Sequence, residues 1–287
     1  MTEQDAKNLI TILSKYTTLP LLEPITSALL RLHTDFLFSQ PHYADPRSIV
    51  RHQAQVFSQN GEDGIIAEIF KRIGTDNKRF IEIGVGDGDE NNTRLLLETG
   101  WRGVWMESHP KNIKSIRETY SAELSDGRLR LIDGMATREY LAENSLEQQR
   151  QHADLLSIDI DMNTSHIWRS LPELRPRVAV IEYNSNFGAA IDFEVEYRAD
   201  AQWTGDNIFG ASLKRLELIG RKLGYSLVGC DVTGINAFFV RDDLVGEKFQ
   251  GPFNSEQHYE PPRFAFLRCS MGHPQAKRAR VELKAVT

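Results

Sequence analysis

The stretch FIEIGVGDGDENNT, residues 80–93, decides the fold. It begins with a short apolar run that contains a single acid, which is typical of a buried strand. Three glycines follow at alternate positions, and acids lie among and after them. Because glycine has no Cβ, such a loop can turn sharply and let a ligand approach the backbone closely. The stretch therefore predicts a strand of an α/β protein with a binding loop at its carboxyl end.

Short apolar runs of this kind recur along the chain. There are seven, over residues 79–84, 103–108, 128–133, 154–161, 177–184, 225–231 and 236–241. Helix-compatible stretches separate the first five, and this alternation predicts a parallel sheet covered by helices on both faces. The last two runs leave no room for a helix between them, so they predict an antiparallel hairpin.

The order of elements is five β/α units, a long helix over residues 210–224 and then the hairpin. This is the element order of the class I methyltransferase fold, which is α/β and Rossmann-like with a mostly parallel, seven-stranded sheet. Residues 1–55 place apolar side chains at helical spacing between prolines, which predicts an N-terminal helical extension or lid. We expect residues 56–250 to form the methyltransferase-like domain that binds the cofactor. Residues 251–287 are expected to be a C-terminal tail that packs on it.

Composition limits the partners and the compartment. The 287 residues carry a formal net charge of −6 and the pI is about 5.8, which argues against nucleic acid as the main partner. We interpret the interrupted basic cluster over residues 277–284 as a solvated tail. The sequence predicts no signal peptide and no membrane span. We therefore expect a cytoplasmic protein without a membrane partner, and a homodimer is compatible with its N-terminal helices.

Polar residues follow the predicted strands at the same end, where an open α/β sheet binds its ligand. Acids in the glycine loop would repel a pyrophosphate but favour the cationic sulfonium and ammonium of S-adenosylmethionine (SAM). Glu107 lies 19 residues past Gly88, the spacing at which an acid takes ribose hydroxyls, and we expect Asp133 to accept from the adenine amine. A plain strand-to-helix turn and a nicotinamide dinucleotide site are the alternatives. The candidate cofactor-binding residues are Gln59, Glu82, Gly84, Gly86, Asp87, Glu107, Ser108, Asp133, Gly134 and Asp159.

Several segments, among them SQNGEDGII (58–66), GWRGVWMES (100–108), LLSIDIDMNTSHIW (155–168) and FGASL (209–213), carry a family resemblance. Together with residues 80–93, 178–184 and 224–244, they resemble the FkbM-type branch of SAM-dependent methyltransferases and its uncharacterised relatives. The resemblance implies the class I fold, SAM at Glu82, Gly84, Gly86 and Glu107, and a segment, Ser58 to Gly64, that folds over the cofactor. From its residues alone, that segment is equally a helix N-cap with solvated acids.

The chain departs from this family's pattern on the acceptor side. Met162 to Ser165 stand where Gly, Asn and Asp followed by an aromatic residue are expected. Asn207 and Ile208 replace an expected Asp-Tyr pair. The apolar Met162 and Ile208 therefore predict a reshaped acceptor pocket.

The candidate catalytic residues follow the fourth and fifth predicted strands. They are Asp159, Asp161, His166, Glu182 and Asn184. Strand alternation predicts Asp159 with Asp161 on one face and Glu182 with Asn184 on another. Asp159, Asp161 and Glu182 are also possible Mg²⁺ or Ca²⁺ ligands, although a metal is not favoured. The competing interpretation is that one aspartate caps the helix beginning near Thr164 while Glu182 binds the SAM ammonium or an acceptor. His166 is a candidate general base, with a structural histidine as the alternative.

These features predict a SAM-dependent methyltransferase that acts on O or N of a small-molecule acceptor. We expect the acceptor pocket, partly closed by the N-terminal helices, to be bounded by Asp159, Asp161, Met162, His166, Glu182, Asn184 and Ile208. Two alternatives use the same cofactor site. One is transfer or cyclisation of another sulfonium substituent, and the other is a degenerate SAM-binding scaffold.

Overall fold

Seven strands form one sheet in the structure, a computed structural model that describes residues 28–29, 32–143 and 153–263. The strands are β1 Arg79–Ile83, β2 Arg102–Glu107, β3 Leu129–Asp133, β4 Leu155–Ile158, β5 Val178–Glu182, β6 Tyr225–Cys230 and β7 Asn236–Arg241. Their order across the sheet is β3-β2-β1-β4-β5-β7-β6. Strands β1 to β5 run parallel, and β7 is antiparallel to both β5 and β6. The predicted class I methyltransferase fold, with its C-terminal hairpin, is confirmed.

Helices and short turns connect the strands. The α-helices with defined bounds are α1 Glu62–Ile73, α2 Arg94–Glu98, α3 Pro110–Thr119, α4 Ser121–Ser125, α5 Arg138–Glu143, α6 Thr164–Arg169, α7 Leu213–Leu223, α8 Asp242–Val245 and α9 Ser255–His258. Single turns of 3₁₀-helix lie at Pro41–Tyr43, Val50–His52 and Pro172–Leu174. The predicted long helix before the hairpin is α7, whose N-cap Ser212 accepts a hydrogen bond from the Arg215 N–H.

The apolar runs become strands because helices cover the sheet on both faces. Every residue of β4 and of β5 is buried. Along β1, Ile81 and Ile83 belong to one hydrophobic cluster and Phe80 belongs to another. Successive side chains of a strand point to opposite faces, so these two clusters are the cores on the two sides of the sheet.

The strand order places the candidate site. Strand β1 lies between β2 and β4, and the chain order reverses at this point. Ligands of open α/β sheets bind beyond the carboxyl ends of the strands at such a reversal. Strand β4 ends at Ile158, earlier than predicted, so Asp159 and Asp161 lie in the following turn, where Asp161 has φ +56°. The alternation predicted for these two aspartates was therefore wrong, since it requires extended backbone.

Much of the predicted N-terminal extension and of the C-terminal tail lies outside the described residues, and so does the basic cluster at 277–284. Within the described part, residues 32–38 are helical. Tyr43 Oη donates to Glu260 Oε2 at 2.9 Å, and Tyr183 Oη donates to the Glu260 carbonyl at 2.7 Å. These bonds tie the segment around Glu260 to the end of β5. No helix among the described residues is long and apolar enough to span a membrane.

Candidate functional site

A cavity of about 500 Å³ opens beyond the carboxyl ends of β1, β2, β3 and β4. It is lined by Ile83, Gly84, Gly86, Met106, Glu107, Ser108, Gly134, Met135, Ala136, Asp159, Ile160, Asp161, Asn163, Ala201, Gln202 and Trp203. Three strand spacings of about 4.8 Å separate β3 from β4, so the strand ends around the cavity span about 14 Å. The cavity is therefore long enough for an extended nucleoside ligand that reaches from β3 to β4.

Two glycines of the binding loop are required for different reasons. Gly84 has φ +84°, and a Cβ added there would lie 1.8 Å from the Asp159 carbonyl oxygen. Gly86 has φ +60°, and a Cβ there would meet nothing within 4 Å. Gly84 thus allows the end of β1 to pack against the end of β4, whereas Gly86 borders open space in the cavity wall.

Glu107 is held at the end of β2 by three backbone donors. Its Oε2 accepts from the Gly86 N–H at 2.9 Å, and its Oε1 accepts from the N–H groups of Ser108 and His109 at 2.9 and 2.8 Å. The residue is only 8% exposed but lines the cavity. Because a carboxylate oxygen accepts more than one hydrogen bond, Oε2 keeps capacity for a ligand hydroxyl. This orientation fits the predicted contact with a ribose.

Glu82 has a different role from the one predicted. Its Oε2 accepts from Asn91 Nδ2, the Thr93 N–H and Thr93 Oγ1 at 2.5–3.0 Å, and its Oε1 accepts from the Asn92 N–H at 2.8 Å. Burial raises the pKa of this carboxyl group. Four hydrogen bonds from residues 91–93 thus occupy the Glu82 carboxylate. Glu82 therefore fixes the segment that leads into α2 and does not present free oxygens to a cofactor.

The end of β3 lines the cavity through its backbone turn and not through its acid. Gly134, Met135 and Ala136 are lining residues, and Asp133 is not. The Asp133 carboxylate pairs with Arg117 at 3.1 Å and is half exposed. The predicted adenine contact by Asp133 therefore has no support in this geometry, and the Gly134–Ala136 turn stands at that position instead.

A second pocket of about 220 Å³ adjoins the cavity and shares Gly84, Gly86 and Asp159 with it. Its remaining lining residues are Gln59, Asn60, Glu62, Glu82, Val85, Asp87, Glu90, Asn91, Asn92 and Asn236. Two of its buried amide oxygens, Asn91 Oδ1 and Asn236 Oδ1, accept no hydrogen bond from the described residues. The pocket is thus rich in hydrogen-bond acceptors. It places the predicted Gln59 beside the glycine loop, which carries the predicted Asp87.

The acids of the Ser58–Gly64 segment are buried rather than solvated. Asp63 Oδ2 accepts from the N–H groups of Val56, Phe57 and Ser58 at 2.7–2.9 Å, and from Ser58 Oγ at 2.9 Å. Glu62 accepts from the Asn60 N–H at 2.9 Å and from Asn236 Nδ2 at 2.8 Å. The interpretation as an N-cap with solvated acids was wrong, because these carboxylates fold the segment back on itself and onto β7.

Asp159 and Glu182 form a hydrogen-bonded carboxyl pair at the ends of β4 and β5. Burial, followed by the charge of Asp161, raises the pKa of Asp159 to about 7. Burial and the charge of Asp159 raise the pKa of Glu182 well above its usual value. Because two carboxyl groups in hydrogen-bond contact cannot both ionise easily, the pair retains a proton near neutral pH. Asp159, which lines both cavities, is the member of the pair that faces a ligand.

The Glu182 carboxylate is hydrogen-bonded to the backbone N–H of Asp161. Glu182 Oε2 accepts from the Asp161 N–H at 3.0 Å and from Thr164 Oγ1 at 3.2 Å. The competing interpretation had one of the two aspartates cap α6. The N-cap residue of this helix is Asn163, so neither aspartate caps it. Glu182 holds the turn that presents Asp161 to the cavity but is not itself a lining residue of it.

The contacts of His166 favour the structural alternative over the role of general base. Its Nδ1 faces the guanidinium groups of Arg138 and Arg169 at 2.9 and 2.7 Å, and its Nε2 faces the Val195 carbonyl at 2.8 Å. Nδ1 must therefore accept and Nε2 must donate, so both ring nitrogens are committed. Burial lowers the pKa of His166, and the side chain does not line the cavity.

Asn184, Met162 and Ile208 were also expected at the acceptor pocket, and none of them lines the cavity. Asn184 Nδ2 donates to the carbonyls of Asn207 and Phe209 at 2.9 Å each, so this side chain anchors a loop. Ile208 is 50% exposed. Residues 201–203 line the cavity instead, together with Asn163, which belongs to the Met162–Ser165 stretch expected on the acceptor side. Trp203 is an aromatic residue, a type that favours a sulfonium through cation–π contact.

The described residues contain no group of three or more His, Cys, Asp or Glu side chains positioned to hold a metal ion. Asp159, Asp161 and Glu182 were the possible ligands. In the structure the carboxyl groups of Asp159 and Glu182 hydrogen-bond to each other.

Comparison with known proteins yields no matching family model and no matching curated protein. Among solved structures, the methyltransferase domain of bacterial CtHen1-C is 14% identical over 64% of this chain and 97% of that one, with a TM-score of 0.40. The CcbJ methyltransferase from Streptomyces caelestis is 13% identical over 68% and 96% of the two chains, with a TM-score of 0.42. A spermidine synthase from Thermotoga maritima is 15% identical over 74% of this chain and 68% of that one, with a TM-score of 0.39. These are likenesses of fold alone, and the FkbM-type resemblance stays a prediction.

The charge of the site is one-sided. Among the described residues, the linings of the two cavities include seven acids and no Lys, Arg or His. The acids are Glu62, Glu82, Asp87, Glu90, Glu107, Asp159 and Asp161. Carboxylates gathered in a partly enclosed space repel one another and attract cations. The arrangement therefore suits a ligand that carries positive charge.

Proposed function

We propose that this chain is a SAM-dependent methyltransferase that acts on a small-molecule acceptor. One observation carries the proposal. The Glu107 carboxylate is held by the Gly86 N–H in the wall of an acid-lined cavity, at the point where strand order reverses. A nucleoside whose other end is cationic matches both features, because Glu107 suits ribose hydroxyls and the remaining acids suit the positive charge.

The residues present fit SAM along its length. Glu107 and Ser108 would hold the ribose, and the turn from Gly134 to Ala136 would border the adenine. Asp159, on the far side of β1, would lie beside the sulfonium. When bound, SAM supplies a methyl group made electrophilic by the sulfonium charge.

The smaller pocket would take the amino-acid end of SAM. The unpartnered buried oxygens of Asn91 and Asn236 would accept from its ammonium, and burial without such a donor is costly for an amide oxygen. The exposed Gln59 lines the same pocket and would donate its amide to the carboxylate. In this pocket the hydrogen bonds supplied by the described residues are therefore incomplete.

The cavity volume of about 500 Å³ lies in the range of small-molecule sites. A nucleic-acid acceptor would bring phosphates into a lining without basic side chains, which is electrostatically unfavourable. The acceptor we propose is therefore a small molecule held near the end of β4.

Calorimetry with SAM tests the cofactor site directly. Wild type should bind SAM, and Glu107→Gln should weaken binding at least about tenfold, because a hydrogen bond to a charged group contributes about 1.5–3 kcal/mol. Glu118→Gln, a surface change on α3, is the matched control and should bind as wild type does. Absence of binding by wild type, or equal affinity in the two variants, would refute the assignment.

Product analysis after incubation with SAM and a small-molecule extract separates the alternatives. S-adenosylhomocysteine is the expected product of methyl transfer. Methylthioadenosine would instead indicate transfer or cyclisation of another substituent, and binding without turnover would indicate a scaffold.

A further inference from the structure

We propose that the acceptor is an amine, bound as its ammonium form at the Asp161 end of the cavity and deprotonated there by Asp159. This inference rests on the proposed methyl transfer and names its substrate class. Three features near the end of β4 carry it: an uncommitted carboxylate, an unpartnered buried amide oxygen and an aromatic face.

Asp161 is the acid of the larger cavity that the chain itself leaves uncommitted. Glu107 is held by three backbone N–H groups, and Asp159 bonds to Glu182. The Asp161 carboxylate accepts no hydrogen bond and pairs with no basic side chain in the described part of the chain, although its backbone is fixed by Glu182. In the proposed function the SAM sulfonium lies beside Asp159 and the SAM ammonium binds in the smaller pocket. Asp161 is therefore available for a cation on another ligand, the acceptor.

Asn163 supplies an independent indication of a hydrogen-bond donor on the ligand. The residue is 4% exposed and lines the cavity two positions after Asp161. Its Nδ2 donates to the Arg198 carbonyl at 2.8 Å, while its Oδ1 is buried and accepts nothing from the described residues. An orphaned buried acceptor costs free energy, which an N–H of the ligand would recover.

Trp203 adds to the cavity lining an aromatic ring of the kind that binds organic cations. Its indole N–H donates to the Asp206 carbonyl at 2.7 Å, which fixes the ring, and 47% of the residue remains exposed. Ammonium groups bind the faces of tryptophan rings through cation–π attraction. A carboxylate or phosphate acceptor would meet Asp161 and Asp159 here with no basic side chain in the lining to offset them.

The chemistry of amine methylation uses the neighbouring carboxyl pair. An ammonium has no lone pair, so one N–H bond must break first, and that proton passes to the Asp159 carboxylate. The nitrogen lone pair then bonds to the methyl carbon as the carbon–sulfur bond breaks, and the electrons of that bond stay on sulfur. The N-methylated amine and S-adenosylhomocysteine result, and Asp159 later releases its proton to water. Asp159 thus acts as the base, and Glu182 positions it.

A labelling experiment tests the substrate class. The protein is incubated with methyl-labelled SAM and a small-molecule cell extract, half of which has first been acetylated with an amine-selective reagent. We expect the labelled product of untreated extract to be retained on a cation exchanger at neutral pH, and acetylation to reduce labelling at least tenfold. Labelling that persists after acetylation, or a product retained on an anion exchanger, overturns the inference.

A binding experiment tests the residue without relying on turnover. The protein with S-adenosylhomocysteine is titrated with n-butylamine, n-butanol and butyrate, and tryptophan fluorescence is recorded because Trp203 lines the cavity. We expect the amine to bind most tightly and Asp161→Asn to weaken it at least fivefold, with unchanged affinity for S-adenosylhomocysteine. Asparagine tolerates the positive φ of this position, so the backbone should persist. Asp243→Asn, beyond the opposite end of the sheet, is the matched control. Equal amine affinity in the two variants, or tighter binding of butyrate, overturns the inference.

The two proposals fail in different ways. If wild type does not bind SAM, or labels nothing in either extract, the proposed function fails and this inference fails with it. If label is transferred but acetylation of amines leaves the transfer intact, methyl transfer stands and only the amine assignment fails.

Discussion

The substitution Gly84→Ala should damage this protein far more than Gly86→Ala, although the two glycines belong to one loop. Both have positive φ, +84° and +60°, so an alanine at either site carries a backbone penalty of about 1–2 kcal/mol. At Gly84 the new Cβ would also lie 1.8 Å from the Asp159 carbonyl oxygen, a backbone atom that cannot rotate away. The ends of β1 and β4 would have to separate, and such overpacking costs about 1–3 kcal/mol more.

We therefore expect Gly84→Ala to lower the free energy of unfolding by about 2–5 kcal/mol and Gly86→Ala by about 1–2 kcal/mol. Urea denaturation measures both values, and calorimetry with SAM on the folded variants measures the effect on the site. Gly84→Ala should also lose SAM affinity, because the displaced Asp159 lines both cavities. Equal losses of stability in the two variants would refute the reasoning, since the predicted difference rests on the contact with Asp159.

Three further predictions concern buried polar groups. Asp63→Ala leaves three backbone N–H groups without their acceptor and should lower the free energy of unfolding by about 3 kcal/mol in urea; wild-type stability would contradict the role assigned to this carboxylate. His166→Gln should lower the free energy of unfolding by about 1–2 kcal/mol and leave the pH dependence of turnover unchanged. If the variant instead loses the rise or the fall of turnover with pH, His166 is the general base. Turnover should rise as pH passes through about 7, because burial and the charge of Asp161 raise the pKa of Asp159 to that value and only the ionised form accepts a proton. In Asp161→Asn, with Glu182, Glu62 and Glu82 still facing Asp159, the midpoint should move to lower pH, and an unmoved midpoint would contradict the assignment.

The elements of the fold could be predicted because each leaves a local pattern. All seven strands fall within the apolar runs or one residue beyond them. The signal is clearest for β4 and β5, because a strand buried on both faces needs continuous apolar sequence. The hairpin followed from the short distance between the last two runs. The position of Glu107 followed from the length of one β/α unit, and its carboxylate does reach the glycine loop.

The roles of individual polar side chains could not be predicted in the same way. His166 follows a strand end, as a catalytic residue would, yet Arg138 and Val195 take both of its ring nitrogens. Asn184 likewise stands at a strand end but anchors the Asn207 and Phe209 carbonyls. In each case the hydrogen-bond partners that determine the role of the side chain are distant in sequence, so no local pattern predicts them.

The sequence by itself determined which segments are strands, which two of them form a hairpin and which loop carries the glycines, because these depend on spacing along the chain. Only the tertiary structure decided which acids remain available to a ligand. Glu82 and Asp63 are consumed by the chain's own N–H groups, whereas Asp161 is left uncommitted. Residues 201–203 join the cavity solely through folding. The physical reason is that the capacity of a carboxylate to bind depends on the donors that already surround it, and long-range packing supplies those donors.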